Sequence, residues 1–264
     1  MLDQVKDFAK RSKTVHGVYK FLRDHRHVPA GRWSEVDKLW PIMRVLPNTM
    51  LPISRLFDTF DAVADIDSRR VEGDIVECGV WNGGCIGLMA LAHLKSRPQT
   101  PRVFHLFDSF QGLPQPSAED TDIVPGFTAQ HPDIPLYDRG NFDPVPIGAC
   151  KGETDESVRK FLTRTLQIPE RILVFHTGWF QDTVPVANDI SKIAILRIEG
   201  DWYDSTNVCI RNLYERVSPG GYIMISDYWA FHGSKRAVDE FYSSIEIEPD
   251  IIRSDKDAIY ILKS

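Results

Sequence analysis

From residue 74 onward, short apolar runs alternate with longer amphipathic segments, and this alternation limits the fold more than any other feature of the chain. Candidate strands cover residues 74–78, 102–107, 171–175, 193–198 and 222–226, and helices are expected at 85–95, 154–166, 205–217 and 234–243. Parallel strands must be joined by crossovers, so repeated βα units predict a mostly parallel sheet with helices on both faces. The end of the chain differs. Residues 245–252 and 258–262 flank a polar turn at 253–257, which predicts a terminal hairpin with one strand antiparallel to its neighbour.

Residues 1–70 carry a helical apolar stripe instead, with Val5, Phe8, Val15, Val18, Phe21 and Leu22, then Leu56, Phe57, Phe60 and Val63. The chain therefore divides into a helical N-terminal extension, 1–70, and an α/β domain, 71–264. The stripe is expected to pack on the main domain or on a second copy of the chain. One segment breaks the rhythm. Residues 108–153 are rich in Pro, Gly and Asp and follow a strand end directly, which predicts a substrate-covering loop.

The chain of 264 residues carries a net charge of −6, which argues against a nucleic-acid partner, since such proteins present a basic face. The four cysteines, Cys78, Cys85, Cys150 and Cys209, show no CxxC spacing and read as reduced thiols. The N-terminus lacks the apolar core of a signal peptide, and no apolar run reaches membrane-spanning length. The expectation is a cytoplasmic chain with a small-molecule substrate and no membrane partner.

The chemistry is expected where the strands end. The run 74–84, DIVECGVWNGG, takes a strand into a glycine turn and then a helix. Ligands of open α/β sheets bind beyond the carboxyl ends of strands. Gly79 would let backbone approach a ligand, and the spacing is not the GxGxxG of a dinucleotide site. Glu77 brings a carboxylate instead of a phosphate cradle, which suits a cationic ligand without phosphates, such as S-adenosylmethionine. The second strand closes on Asp108, positioned to accept hydrogen bonds from ribose hydroxyls; the alternative is a turn aspartate. The third leads to Gly178 and Trp179, a candidate adenine wall or a pair of core positions. The fourth ends in Glu199, Gly200 and Asp201, and the fifth in Ser226 and Asp227. Glu199 and Asp227 together suit a hard cation such as Mg²⁺; otherwise Asp201 braces the turn and Asp204 caps a helix.

Five stretches, 76–84, 107–114, 178–183, 196–206 and 219–228, together resemble the macrocin O-methyltransferase (TylF-type) family, whose members methylate sugar hydroxyls of natural products. The resemblance covers roughly residues 45–262. It implies a Rossmann-like class I methyltransferase with a seven-stranded sheet, a helical N-terminal addition and a homodimer. It also implies S-adenosylmethionine contacts at Thr49, Met50, Glu77, Cys78, Gly79, Asp108, Ser109, Gly178, Trp179 and Glu199. The family's metal site is three aspartates, at the positions of Glu199, Ser226 and Asp227. With Ser226 uncharged, a dication should bind more weakly here. The family's base is a histidine in the loop before the third strand, where this chain has His131.

The reaction expected is displacement of the S-methyl group by a substrate oxygen. Asp227 and Glu199 hold a metal, or Asp227 acts directly, with His131 as the candidate base. Three rivals stay open: metal-independent methylation of a phenol or carboxylate, a cofactor-binding protein without catalysis, and a nucleotide-dependent oxidoreductase.

Overall fold

The computed structural model describes residues 32–99, 101–114, 116, 117, 119, 120 and 150–264. His131, the expected helices before residue 32 and the middle of the 108–153 segment lie outside them. Seven strands form one sheet: β1 (Asp74–Cys78), β2 (Phe104–Asp108), β3 (Leu173–Thr177), β4 (Ile193–Ile198), β5 (Val217–Ile225), β6 (Ile251–Arg253) and β7 (Ile259–Leu262). Their order across the sheet is β3-β2-β1-β4-β5-β7-β6. The first five pair in parallel, while β7 runs antiparallel to both β5 and β6.

Side-chain alternation along the strands sorts the core into two layers. On one face Ile75, Leu106, Ile195 and Met224 meet α1 (Val36–Val45), α2 (Ile53–Ser68) and α3 (Gly84–Ser96). On the other, Val76, Phe107, Leu196, Ile198 and Ile223 meet α6 (Tyr203–Leu213) and α7 (His232–Ser244). Two shorter helices, α4 (Asp155–Lys160) and α5 (Phe180–Thr183), flank β3. Thr154 starts α4 by accepting the Ser157 N–H at 3.3 Å, the expected role for a threonine at a helix N-cap.

Several expected boundaries move: β5, expected at 222–226, already begins at Val217, and the helices expected at 154–166 and 205–217 end as α-helix at Lys160 and Leu213. The strand predicted at 102–107 begins at Phe104, because Arg102 anchors the strand start instead of joining the ladder. Its Nε donates to Asp67 at 3.1 Å and its backbone N–H to His93 Nε2 at 2.9 Å. His93 Nδ1 in turn lies 2.7 Å from Asp67, so the ring is the tautomer with its proton on Nδ1. The strand predicted at 171–175 starts two residues later, because a short 3₁₀ turn over Glu170–Ile172 follows Pro169. The strand predicted at 245–252 shrinks to Ile251–Arg253. Glu246 takes a left-handed φ of 55°, and Pro249 offers no N–H to a ladder, so pairing begins beyond it.

Candidate active site

The carboxyl ends of the five parallel strands are stitched into one edge by hydrogen bonds that continue the ladders past the strands. Gly79 N–H donates to Phe107 at 2.8 Å, Gly178 N–H to Asp108 at 2.9 Å, Glu199 N–H to Cys78 at 2.8 Å and Ser226 N–H to Ile198 at 3.1 Å, each to a backbone carbonyl. Gly79, Asp108, Gly178, Glu199 and Ser226, widely separated in sequence, therefore sit side by side.

Gly79 is required by its neighbour as well as by its φ of +92°. A Cβ there would lie 2.8 Å from the Cβ of Glu199 and closer still to the Glu199 carbonyl. Gly84, which opens α3, is pressed against Asn48 and Thr49, with 2.7 Å between a built Cβ and that of Thr49. This close approach brings Thr49 and the exposed Met50 beside the glycine turn.

Asp108 is a brace at this edge. One carboxylate oxygen accepts the N–H groups of Val80 at 2.7 Å and Trp81 at 2.8 Å, and the other that of Phe110 at 2.7 Å. Trp81 and Phe110 both hold left-handed φ angles, 49° and 53°, conformations that persist only where the surroundings enforce them. Burial raises the Asp108 carboxyl above its ordinary value, against these three bonds. Ser109 is engaged locally: its hydroxyl accepts the Gln111 N–H at 3.1 Å. The Cys78 side chain is in the core on the α6 face, turned from the edge, so only its backbone takes part. Trp179 caps α5 and is partly exposed.

An ionic cluster lies behind the glycine turn. Glu77 and Arg197 face each other across β1 and β4 at 2.7 Å, both buried, and Arg197 also grips Glu199. Burial, set against the nearby Arg197, pushes the Glu77 carboxyl up to about 7. Glu77 was expected to offer a charge at the strand tip. It lies one residue short of the strand end and is sealed in the core. Arg55 on α2 approaches from the other side, with a bidentate pair to Asp255 at 2.7 and 2.8 Å.

Asp201 and Asp227 complete the group. Asp227 is buried, and one of its oxygens has no partner. Burial, then the charges of Glu199 and Asp201, hold it well above the ordinary carboxyl value. A side-chain hydrogen bond with Asp227 favours an ionised Asp201. Burial and Glu199 outweigh that bond and raise Asp201 to about 7. Asp201 has a left-handed φ of 54° and is still reached by solvent. The sequence pattern placed Asp201 on one face with Glu199 and offered bracing of the turn as the alternative. Its titration depends on neighbours from β5 that local sequence does not reveal. Asp204, expected to cap α6, sits instead in its first turn. The cap comes from Asp120, whose carboxylate accepts the Tyr203 N–H at 2.7 Å.

Both described ends of the 108–153 segment dock at this edge. Trp202 Nε1 donates to the Pro114 carbonyl at 3.0 Å, and Asn82 in the glycine turn accepts the Glu153 N–H at 2.6 Å. The first part of this predicted covering loop is therefore packed scaffold. Two surface clefts, of about 420 Å³ beside Tyr242 and Ile251 and about 360 Å³ beside Arg70 and Lys192, lie away from the strand tips.

The strand order, with β7 reversed beside β5 and a glycine turn after the first strand, defines a Rossmann-like class I methyltransferase. The macrocin-O-methyltransferase (TylF) family model matches residues 7–134 and 152–263, and the chain belongs to that family. It is 34% identical over 213 residues to demethyldecarbamoylnovobiocin O-methyltransferase of Streptomyces niveus, covering 81% of this chain and 74% of the relative. It is 30% identical over 221 residues to a Streptomyces olivaceus 4'-O-methyltransferase of 8-demethyl-8-(2,3-dimethoxy-alpha-L-rhamnosyl)-tetracenomycin C, covering 84% and 76%. The solved O-methyltransferase NovP superposes with a TM-score of 0.68 at 32% identity over 82% of each chain. The protein is an S-adenosylmethionine-dependent O-methyltransferase of small molecules. Among the described residues no helix is long and apolar enough to cross a membrane.

Proposed function

We propose that this enzyme methylates a sugar hydroxyl of a natural product and that Asp201 takes the hydroxyl proton. The observation that carries the reading is the placement of Asp201, reached by solvent in the turn just past β4, two residues from the Glu199 that packs on Gly79; burial raises its carboxyl to about 7. A base with a pKa near the working pH combines an ionised fraction with useful basicity. Bound S-adenosylmethionine supplies an activated methyl group. The chain's part is to align the acceptor oxygen with it and to receive the proton. Thr49, Met50, Gly79, Asp108, Gly178 and Trp179 line the edge where the cofactor would lie, with Asp108 holding the turn in shape. The relatives named for a rhamnosyl group and for a novobiocin precursor support a glycosylated acceptor.

Asp227, expected to hold a metal or to act directly, is assigned to positioning: it is buried beside Asp201 and orients it. Glu199 and Asp227 are the carboxylates that would hold a hard dication, and their repulsion is what a cation relieves. Arg197 already neutralises Glu199 and Ser226 adds no charge, so we infer weak Mg²⁺ binding at Glu199 and Asp227. Methyl transfer to panels of deoxysugar glycosides, phenols and carboxylic acids, with and without chelator, tests this reading. Turnover confined to sugar hydroxyls and lost in Asp201→Asn supports it; turnover only on phenols, or an unaffected Asp201→Asn, overturns it.

A further inference from the structure

On the opposite sheet face from the Glu77–Arg197 cluster, β2 and β3 bring two histidines together at the sheet edge. His105 Nδ1 lies 3.0 Å from His176 Nε2. Asp189, in the loop before β4, places a carboxylate oxygen 3.8 Å from His105 Nδ1 and 3.7 Å from His176 Nε2. Among the described residues this is the one group of three potential ligands with all donor atoms within 4.8 Å of one another. We propose that His105, His176 and Asp189 form a binding site for a divalent transition metal of the zinc class, separate from the methyl-transfer site.

The separations are of the size the ion sets, and the two rings, which aim Nδ1 and Nε2 at each other, would tilt to share it. Bond lengths of 2.0–2.1 Å in a tetrahedral site put ligand atoms about 3.3 Å apart, and the three observed separations bracket that value. Two imidazoles and one carboxylate are a donor set for zinc and its neighbours, not for magnesium. Three protein ligands leave a fourth position for water, and Asp189 is half exposed.

A second observation is independent of those distances. The buried His105 has one ring nitrogen, Nε2, without a hydrogen-bond partner. Asp74 lies 3.5 Å from it, with its other oxygen already fixed by the Val103 N–H at 3.0 Å. Metal-binding histidines commonly send their second N–H to a carboxylate, which sets the tautomer and leaves the other nitrogen free to ligate. His105 stands in that relation, with Asp74 behind it and Nδ1 facing His176 and Asp189. The Phe107 ring stacks on His176 at 4.0 Å and fixes its plane. A bound ion would replace the proton between the two rings and tie the edge strand β3 to β2 and to the loop before β4.

The test is calorimetry of Zn²⁺ with untagged, full-length Cys150→Ser protein in excess Mg²⁺, added to compete at the carboxylates of the strand tips. One equivalent of Zn²⁺ is expected, with a rise in Tm. Asp189→Ala changes an exposed loop residue and should fold normally. It should weaken binding beyond the roughly 10–100-fold that losing the carboxylate behind a ligating histidine costs, and Asp74→Asn should fall within that range. Co²⁺ should give the visible absorption of a tetrahedral site with nitrogen ligands, lost in His176→Ala. Binding of Zn²⁺ that is absent in the parent protein, or equal in parent and Asp189→Ala, overturns the proposal.

Discussion

Replacing Asp108 separates holding the glycine turn from holding the cofactor. In Asp108→Ala, three backbone N–H groups lose a charged acceptor. Hydrogen bonds to charged groups contribute about 1.5–3 kcal/mol each. Water can enter the vacated space, and Trp81 and Phe110 can leave their left-handed conformations, which returns part of the loss. A destabilisation of about 3–5 kcal/mol remains. Asp108→Asn should keep the two bonds on one oxygen but turn an amide donor toward the Phe110 N–H, at a cost of about 1–3 kcal/mol. Urea unfolding gives both values from the midpoint shift at constant m. Calorimetry with S-adenosylhomocysteine, at a urea-free temperature where both variants remain folded, then reports the turn's contribution to binding. If Asp108→Ala unfolds at the wild-type midpoint, the carboxylate does not brace the turn. If it is no worse than Asp108→Asn, the count of three bonds is wrong.

Further outcomes follow from the same geometry. Gly79→Ala should abolish cofactor binding or folding, because its Cβ collides with Glu199 at a φ of +92°; wild-type affinity in a calorimetric titration would contradict the packing. Glu77 titrates near 7 in the folded chain against 4.5 unfolded, so the folded state holds a proton that the unfolded state releases in between. The stability from that proton is fully present below about pH 4.5 and lost as pH rises through about 7, a change of about 3 kcal/mol. Urea unfolding of Glu77→Gln should show a flatter pH dependence over that window. The rate of methyl transfer should rise with pH through about 7 as Asp201 ionises, and a rate falling over that range would remove Asp201 as the base. His93→Ala should cost about 2 kcal/mol in urea unfolding, since it removes the buried partner of both Asp67 and the Arg102 N–H.

The sheet and its helices were legible because strand and helix periodicities are local. Each apolar run of β1 and β4 carries its own signal, and their bounds at residues 74–78 and 193–198 came out unchanged. The terminal reversal was legible too, from a polar turn between two apolar runs. Strand starts were less so: Arg102 and Pro249 are set by partners and backbone chemistry that periodicity ignores. The family resemblance rested on glycine and carboxylate positions at strand ends, which are again short contiguous runs.

Charge state and geometry belonged to tertiary structure. Nothing local shows that Glu77 is sealed against Arg197, that Asp227 is held well above the ordinary carboxyl value, or that Asp201 is raised to about 7, because burial and neighbouring charges arise only when β1, β4 and β5 align. The same holds for His105, His176 and Asp189, which come from three elements and meet only through sheet register. Sequence determined which residues stand at the strand ends. Folding decided which of them face one another and how much water remains between them, and those two quantities set a carboxylate's chemistry.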